Sequence, residues 1–184
     1  MLTAEKKKYT AEDYMMLEEG APFQLINYNL IISPSPTPIH QAISLQLTLA
    51  LAYFLKQSNN QGYMAYAPLD VKFDEGNIMQ PDLIYIASER KADMITNVIE
   101  GAPDLVIEIL SPSNAYYDLR QKKDIYQKYG VKEYIIVDPN AFNCELYVLK
   151  DGVYQLHQKA EKTEHLNSVL LPGLTFDLNK LFTF

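Results

Sequence analysis

A chain of 184 residues with 48% hydrophobic content has the length of one domain and enough apolar side chains for a sizeable core, and suggests neither a disordered tail nor an unusual class. A formal net charge of -7 argues against a protein that coats nucleic acid nonspecifically, because affinity for phosphate backbones comes from excess Lys and Arg; a locally basic groove stays compatible with it. The single cysteine, Cys144, excludes an internal disulfide and fits a reducing, cytoplasmic setting.

In chain order, the N-terminus lacks the apolar core of a signal peptide, and its Lys6-Lys7-Lys8 run reads as a solvated charge cluster. "TAEDYMMLEEG" predicts a short helix, with Thr10 and Asp13 as a capping pair and Gly20 as the stop. "FQLINYNLIISPSP" is a strand-like run broken by "NYN", hence a hairpin, ended by Pro34, Pro36 and Pro38. From His40 to Lys56, Ile43, Leu47, Ala50, Leu51 and Phe54 recur at helical spacing and predict one long amphipathic helix. Its most apolar stretch is interrupted by Ser44, Gln46 and Thr48 and is too short to span a bilayer, so no membrane partner is expected.

"APLDVKF", "DEGN" and "MQPDLIYIA" predict a strand, a turn and a returning strand, with Asp82 near the start of a strand paired with its predecessor. The next strand lies in "APDLVIEILSPSN", apolar on both faces over residues 106–110. "SPSNAYYD" leads into a helix from about residue 119 to 129, closed by Gly130, and "EYIIVDP" is a further apolar strand; strand, helix, strand at this spacing predicts a parallel crossover. "ELYVLKDGVYQLH" reads as a hairpin turning at Asp151-Gly152, and a short helix near "DLNKLF" closes the chain. The expected fold is α/β (α+β): a mixed sheet with a parallel pair at its centre and helices on both faces, in a single domain with an N-terminal helix (1–22) and a core (23–184).

Glu108 is the anomaly in this pattern. A strand covered on both sides buries it, and an ionised carboxylate out of water costs several kcal/mol unless something compensates. It is either paired with a Lys or Arg or put to use. If the strands at Leu83 and Val106 lie side by side, Asp82 comes close to Glu108, and the simplest partner for two adjacent carboxylates is a hard divalent cation.

"QPDLIYI" followed by "GAPDLVIEILSPSNAYYDLRQKKDIYQKYGVKEYIIVDP" resembles the Uma-two family of small bacterial proteins classed as endonucleases, within the PD-(D/E)XK nuclease superfamily. The resemblance runs from about Phe23 to Leu181 and rests on the Pro-Asp, the Glu on the next strand, the "LSPS" turn and an Asp-x-x-x-Lys-x-x-x-Tyr helix. It implies a restriction-endonuclease-like fold in which Asp82 and Glu108 hold Mg2+ (Mn2+ can substitute) and Asp82, Glu108 and Lys122 are catalytic. The superfamily lysine usually follows two residues after the second acid, where this chain has Leu110; in the Uma-two pattern the following helix supplies it, at Lys122, with Asp118 and Tyr126 at the other polar positions. Helical spacing agrees, since Asp118, Lys122, Tyr126 and Tyr129 share one stripe while Lys123 is turned away beside Gln127, toward solvent.

The family also commonly has a histidine near His40, where helix capping or exposure is the stronger expectation. The first hairpin departs from the family: Asn29 stands where a glutamate is expected, which would weaken the metal site. His157 and His165 look incidental, and most of the 14 tyrosines fall at core or edge positions. The implied function is a Mg2+-dependent endonuclease hydrolysing DNA phosphodiester bonds, working as a homodimer so that both strands can be cut. The alternatives are a catalytically silent nucleic-acid or protein binding module of the same fold, and a structural protein in which Glu108 is merely ion-paired.

Overall fold

The structure, a computed structural model, describes residues 7–111 and 117–183, with the side chains of residues 117–119 outside the described set. Lys6 and most of the "SPSN" turn therefore lie outside the described residues. Lys7 and Lys8, expected to be merely solvated, sit over the rings of Tyr9 and Tyr28, 4.6 and 5.8 Å from the centroids.

Helix α1 (Ala11–Met15) carries the expected capping box, Thr10 and Asp13 bonding each other's backbone N–H, but ends well before Gly20. Strands β1 (Phe23–Ile26) and β2 (Asn29–Ile32) form the expected hairpin. Asn27 and Tyr28 turn it with φ of 49° and 62°, the left-handed pair that a two-residue hairpin turn requires. Helix α2 (Pro38–Gln57) begins two residues before the predicted start. Pro38, expected only to end a strand, instead opens the helix behind the Thr37 N-cap, since its fixed φ suits the first turn and it has no N–H to leave unsatisfied.

The principal correction concerns the strands that follow. β3 (Tyr63–Tyr66) is a strand that the residue pattern does not reveal, and the expected returning strand "MQPDLIYIA" is two strands, β5 (Asn77–Met79) and β6 (Leu83–Ile86), of which only β5 pairs with β4 (Val71–Asp74), the strand before the turn. β4 and β5 pair with each other and, with β1, β2 and the two-residue β7 (Ile99–Glu100), make a five-stranded sheet in the order β2-β1-β5-β4-β7. β6 belongs to a different sheet. The run "MQPDLIYI" is cut at Gln80-Pro81-Asp82 because Pro81 has no N–H for the ladder, so the chain changes sheets there.

The second sheet has six strands, in the order β11-β10-β9-β8-β6-β3, formed by β8 (Leu105–Ile109), β9 (Glu133–Asp138), β10 (Asn143–Lys150) and β11 (Val153–Glu161) with β6 and β3. All its pairings are antiparallel except β8 with β9, which puts the expected parallel pair at the centre. The crossover between them is a π-helical turn (Tyr117–Lys122) running into α4 (Lys123–Tyr129), stopped by Gly130 at φ 85°. The C-terminal hairpin turns at Asp151-Gly152 as expected and extends the main sheet. A small pair, β12 (His165–Asn167) with β13 (Thr175–Asp177), precedes the closing helix α5 (Leu178–Leu181), which Asp177 caps.

Side-chain alternation divides the core. On one face of the six-stranded sheet, Ile107, Ile109, Ile135 and Val137 pack on Ile43, Leu47, Leu51 and Leu55 of α2 and on the C-terminal segment. On the other, Val106, Leu110, Ile84 and Ile136 pack on Ile125 and Tyr126 of α4 and on Val71 and Met79 of the smaller sheet. Glu108 belongs by register to this second face.

Asp104, just before β8, ties three strands together. Its fully buried carboxylate accepts the Ala87 N–H at the end of β6 and pairs with Arg90 and with Lys132 before β9, both at 2.8 Å. Burial alone would raise its pKa, but the Ala87 N–H, Lys132 and Arg90 outweigh that and hold it below the usual carboxylate range.

A candidate active site between two strands and a helix

The β6–β8 register builds the centre of the site. Leu83 lies opposite Ile107, so one step further along the same antiparallel pair Asp82 comes opposite Glu108, with both side chains on one face. Asp82 is tied to β8: its Oδ2 accepts the Ile109 N–H at 2.7 Å. The two carboxylates, predicted to meet because their strands could be neighbours, line one cavity of about 610 Å3.

Lys122 reaches the same cavity from the crossover. Glu108 and Lys122 are each only 3% exposed, and the lysine Nζ donates to both carboxylate oxygens, at 2.8 and 2.9 Å. The Tyr126 hydroxyl, one helical turn on, donates to Glu108 Oε1 at 2.5 Å. A carboxylate in an apolar strand is thus compensated by charge-assisted hydrogen bonds from one helix stripe, as the Lys122–Tyr126 spacing predicts. The π-helical turn delivers this stripe, its wider winding ending at Lys122 itself.

Lys123 points elsewhere, but not into solvent as expected. Its Nζ stands 3.3 Å from the centre of the Tyr147 ring, and Gln127 beside it accepts the Tyr154 N–H, so this stripe of the helix packs on the C-terminal hairpin. Partial burial there lowers the Lys123 pKa.

His40 is turned inward. Its backbone N–H serves the Thr37 cap, while its Nε2 lies 3.2 Å from Asp82 Oδ1 inside the cavity, so neither capping alone nor exposure accounts for the residue. Asn29 is not brought to the site. Its amide donates to the Asn27 and Ile26 carbonyls within the hairpin turn, and it is absent from the described cavity lining. Asp118 lies on the π-helical turn, with its side chain outside the described residues.

Gln24 was not foreseen. It lines the cavity, 4% exposed, its Oε1 accepting the Gln80 N–H and its Nε2 donating to Ser33 Oγ. The signal was present, since a polar residue in the short apolar strand "FQLI" is the same anomaly as Glu108 in "LVIEI".

The oxygen donors of Asp82 and Glu108 are hard ligands, and magnesium keeps several waters and needs only one or two carboxylates, so the pair and its cavity fit such an ion. No group of three or more His, Cys, Asp or Glu side chains able to hold a metal occurs among the described residues.

A mixed six-stranded sheet flanked by helices, with two carboxylates and a lysine converging at its centre, defines a restriction-endonuclease-like architecture. A solved structure described as a putative nuclease belonging to DUF820, from Anabaena variabilis, has this fold: TM-score 0.78, 21% identity, covering 94% of this chain and 97% of that one. The family model for Uma2, described as "Putative restriction endonuclease", matches residues 11–179, and the chain belongs to that family. An uncharacterized protein of Synechocystis sp. is 25% identical over 150 residues, spanning 80% of this chain and 84% of its own length.

Proposed function

We propose that the protein is a divalent-metal-dependent endonuclease that hydrolyses DNA phosphodiester bonds, with Asp82 and Glu108 as ligands for Mg2+ or Mn2+. The observation that carries the reading is the convergence of Asp82, Glu108 and Lys122 on one cavity from three separate elements. When bound, the metal supplies a water of lowered pKa and positive charge beside the phosphoryl oxygens.

The chain's own residues do the rest. The Ile109 N–H fixes the Asp82 carboxylate, and the Tyr126 hydroxyl fixes that of Glu108. Lys122, held in the cavity wall, orients the attacking water or bears on the anionic transition state. His40 Nε2, 3.2 Å from Asp82 Oδ1, steadies that carboxylate from the cavity side.

The test is cleavage of supercoiled plasmid in Mg2+ and in Mn2+. Wild type is expected to nick or linearise it, and Asp82→Asn, Glu108→Gln and Lys122→Ala to lose at least about 10²-fold in rate. Equal rates for wild type and these variants would refute the assignment.

A second reading has its own observation: both Glu108 oxygens are taken up by Lys122, which suits a protein that binds without cutting. A protein silent on duplex, single-stranded and RNA substrates that still retains DNA on a filter would favour that reading.

A further inference from the structure

Helix α2 has two apolar faces. One, carrying Ile43, Leu47, Leu51 and Leu55, is buried on the main sheet. The other is open: Leu45, Leu49 and Tyr53, at four-residue steps along one stripe, are 56%, 53% and 68% exposed. Beside this ridge runs a groove of about 540 Å3, walled by Leu49, Ala50, Tyr53 and Phe54 of α2 and by Leu174 and Phe176 from the C-terminal segment.

We propose that this face is a twofold interface between two copies of the chain. Leu49 and Tyr53 belong both to the ridge and to the groove wall, so one surface carries a projection and the hollow beside it. An isologous contact uses the same self-complementary patch on both copies, and a ridge beside a hollow meets that requirement.

Charge selects the same occupant. At a net charge of -7 two copies repel over most of their surface, but residues 38–55 contain no Asp, Glu, Lys or Arg. The charged residues in the groove wall, Asp177 and Lys180, balance each other.

The ridge supplies part of the area that a stable dimer needs. Three half-exposed side chains offer roughly 300 Å2 of apolar surface per copy. The groove walls supply further area toward the ~800 Å2 per partner of a standard interface. The apolar stretch expected from the sequence to be too short for a bilayer lies in a helix of 20 residues, which by length and composition alone could cross one, but its inner stripe is committed to the sheet core, so a membrane could meet only the outer face.

The interface is read by mass and not by cleavage, so it stands or falls apart from the nuclease reading. Sedimentation velocity across the micromolar range is expected to show a wild-type dimer. Leu49→Glu, which sets two new charges in the contact, is expected to weaken it by roughly 30-fold or more. Tyr53→Ser, at a highly exposed position, should weaken it with unchanged circular dichroism and urea midpoint, and so carries the test if Leu49→Glu fails to fold. Leu156→Glu, exposed on β11, is the control and should leave the dimer intact. A monomeric wild type at high micromolar concentration, a dimer that Leu49→Glu and Tyr53→Ser both leave unchanged, or a monomer that floats with phosphatidylcholine vesicles would each overturn the proposal.

Discussion

Replacing Lys122 with Met keeps much of the volume of the side chain and removes its charge, leaving the Glu108 carboxylate, 3% exposed, without the ammonium that bridges both its oxygens. Removing one member of a buried, hydrogen-bonded ion pair costs about 3–5 kcal/mol, most of it the penalty of the charge left behind. For a domain of this size that corresponds to a fall in Tm of about 6–20 °C. A divalent cation at Glu108 would supply the missing charge, and in wild type it would first have to share the carboxylate with the lysine. Mn2+ should therefore stabilise Lys122→Met more than wild type, recovering about 2.7 kcal/mol at a hundredfold excess over its Kd. Glu108→Gln combined with Lys122→Met should be less destabilised than the sum of the single variants, because no unpaired charge is left. Urea unfolding of the four proteins with and without Mn2+ measures all of this. A Lys122→Met protein within 1 kcal/mol of wild type without metal, or an equal Mn2+ response in both, would refute the reasoning.

Asp104→Asn should cost about 2–3 kcal/mol at pH 7 by urea unfolding, toward the low end for a buried charge because Lys132 is half exposed. Since the folded pKa of Asp104 is depressed, its contribution is present above the unfolded value near 4 and is lost as pH falls through the folded value; the gap to Asp104→Asn should therefore close in acid, and a constant gap would sink the assignment. Burial pushes the Cys144 thiol up to about 12, so native protein should react with a thiol reagent at pH 8 far more slowly than urea-unfolded protein, and equal rates would count against the buried position. Asn29→Glu should leave the Mn2+-induced Tm shift unchanged, because the residue is confined to its turn, whereas Gln24→Glu, which puts a third carboxylate in the cavity, should enlarge it; the reverse ranking would restore position 29 to the site.

The parts of the fold legible in the sequence were those written in local periodicity. The buried stripe of α2, the "NYN" and Asp151-Gly152 turns and the doubly covered strand around Glu108 all follow from spacing and turn chemistry. The site was legible through one inconsistency, a carboxylate among apolar residues, and through the four-residue step from Lys122 to Tyr126. What escaped depends on partners distant in sequence. Nothing near "VKFDEGNIMQ" says that its hairpin joins β1 and leaves β6 to another sheet, although Pro81 marks where the break must fall. Asp104 looks like any acid before a strand until Arg90 and Lys132 arrive from either side. The π-helical winding is also silent, since "YDLRQK" carries no pattern that separates it from an ordinary helical turn.

The β6–β8 pairing bears on how such a chain can vary. Asp82 and Glu108 are neighbours because two strands lie in register, while the excursion between those strands, residues 87–104, runs through α3 (Lys91–Met94) and β7 and is clamped at its base by Asp104. That excursion can lengthen, shorten or be replaced without moving either carboxylate, provided the clamp closes. A single residue lost between Met79 and Leu83 has no such freedom: it would shift β6 by one position and turn its side chains to the opposite face of the sheet. Insertions among relatives should accordingly gather in the excursion and avoid the three residues around Pro81, giving the chain one segment open to drift beside another where length itself is under selection.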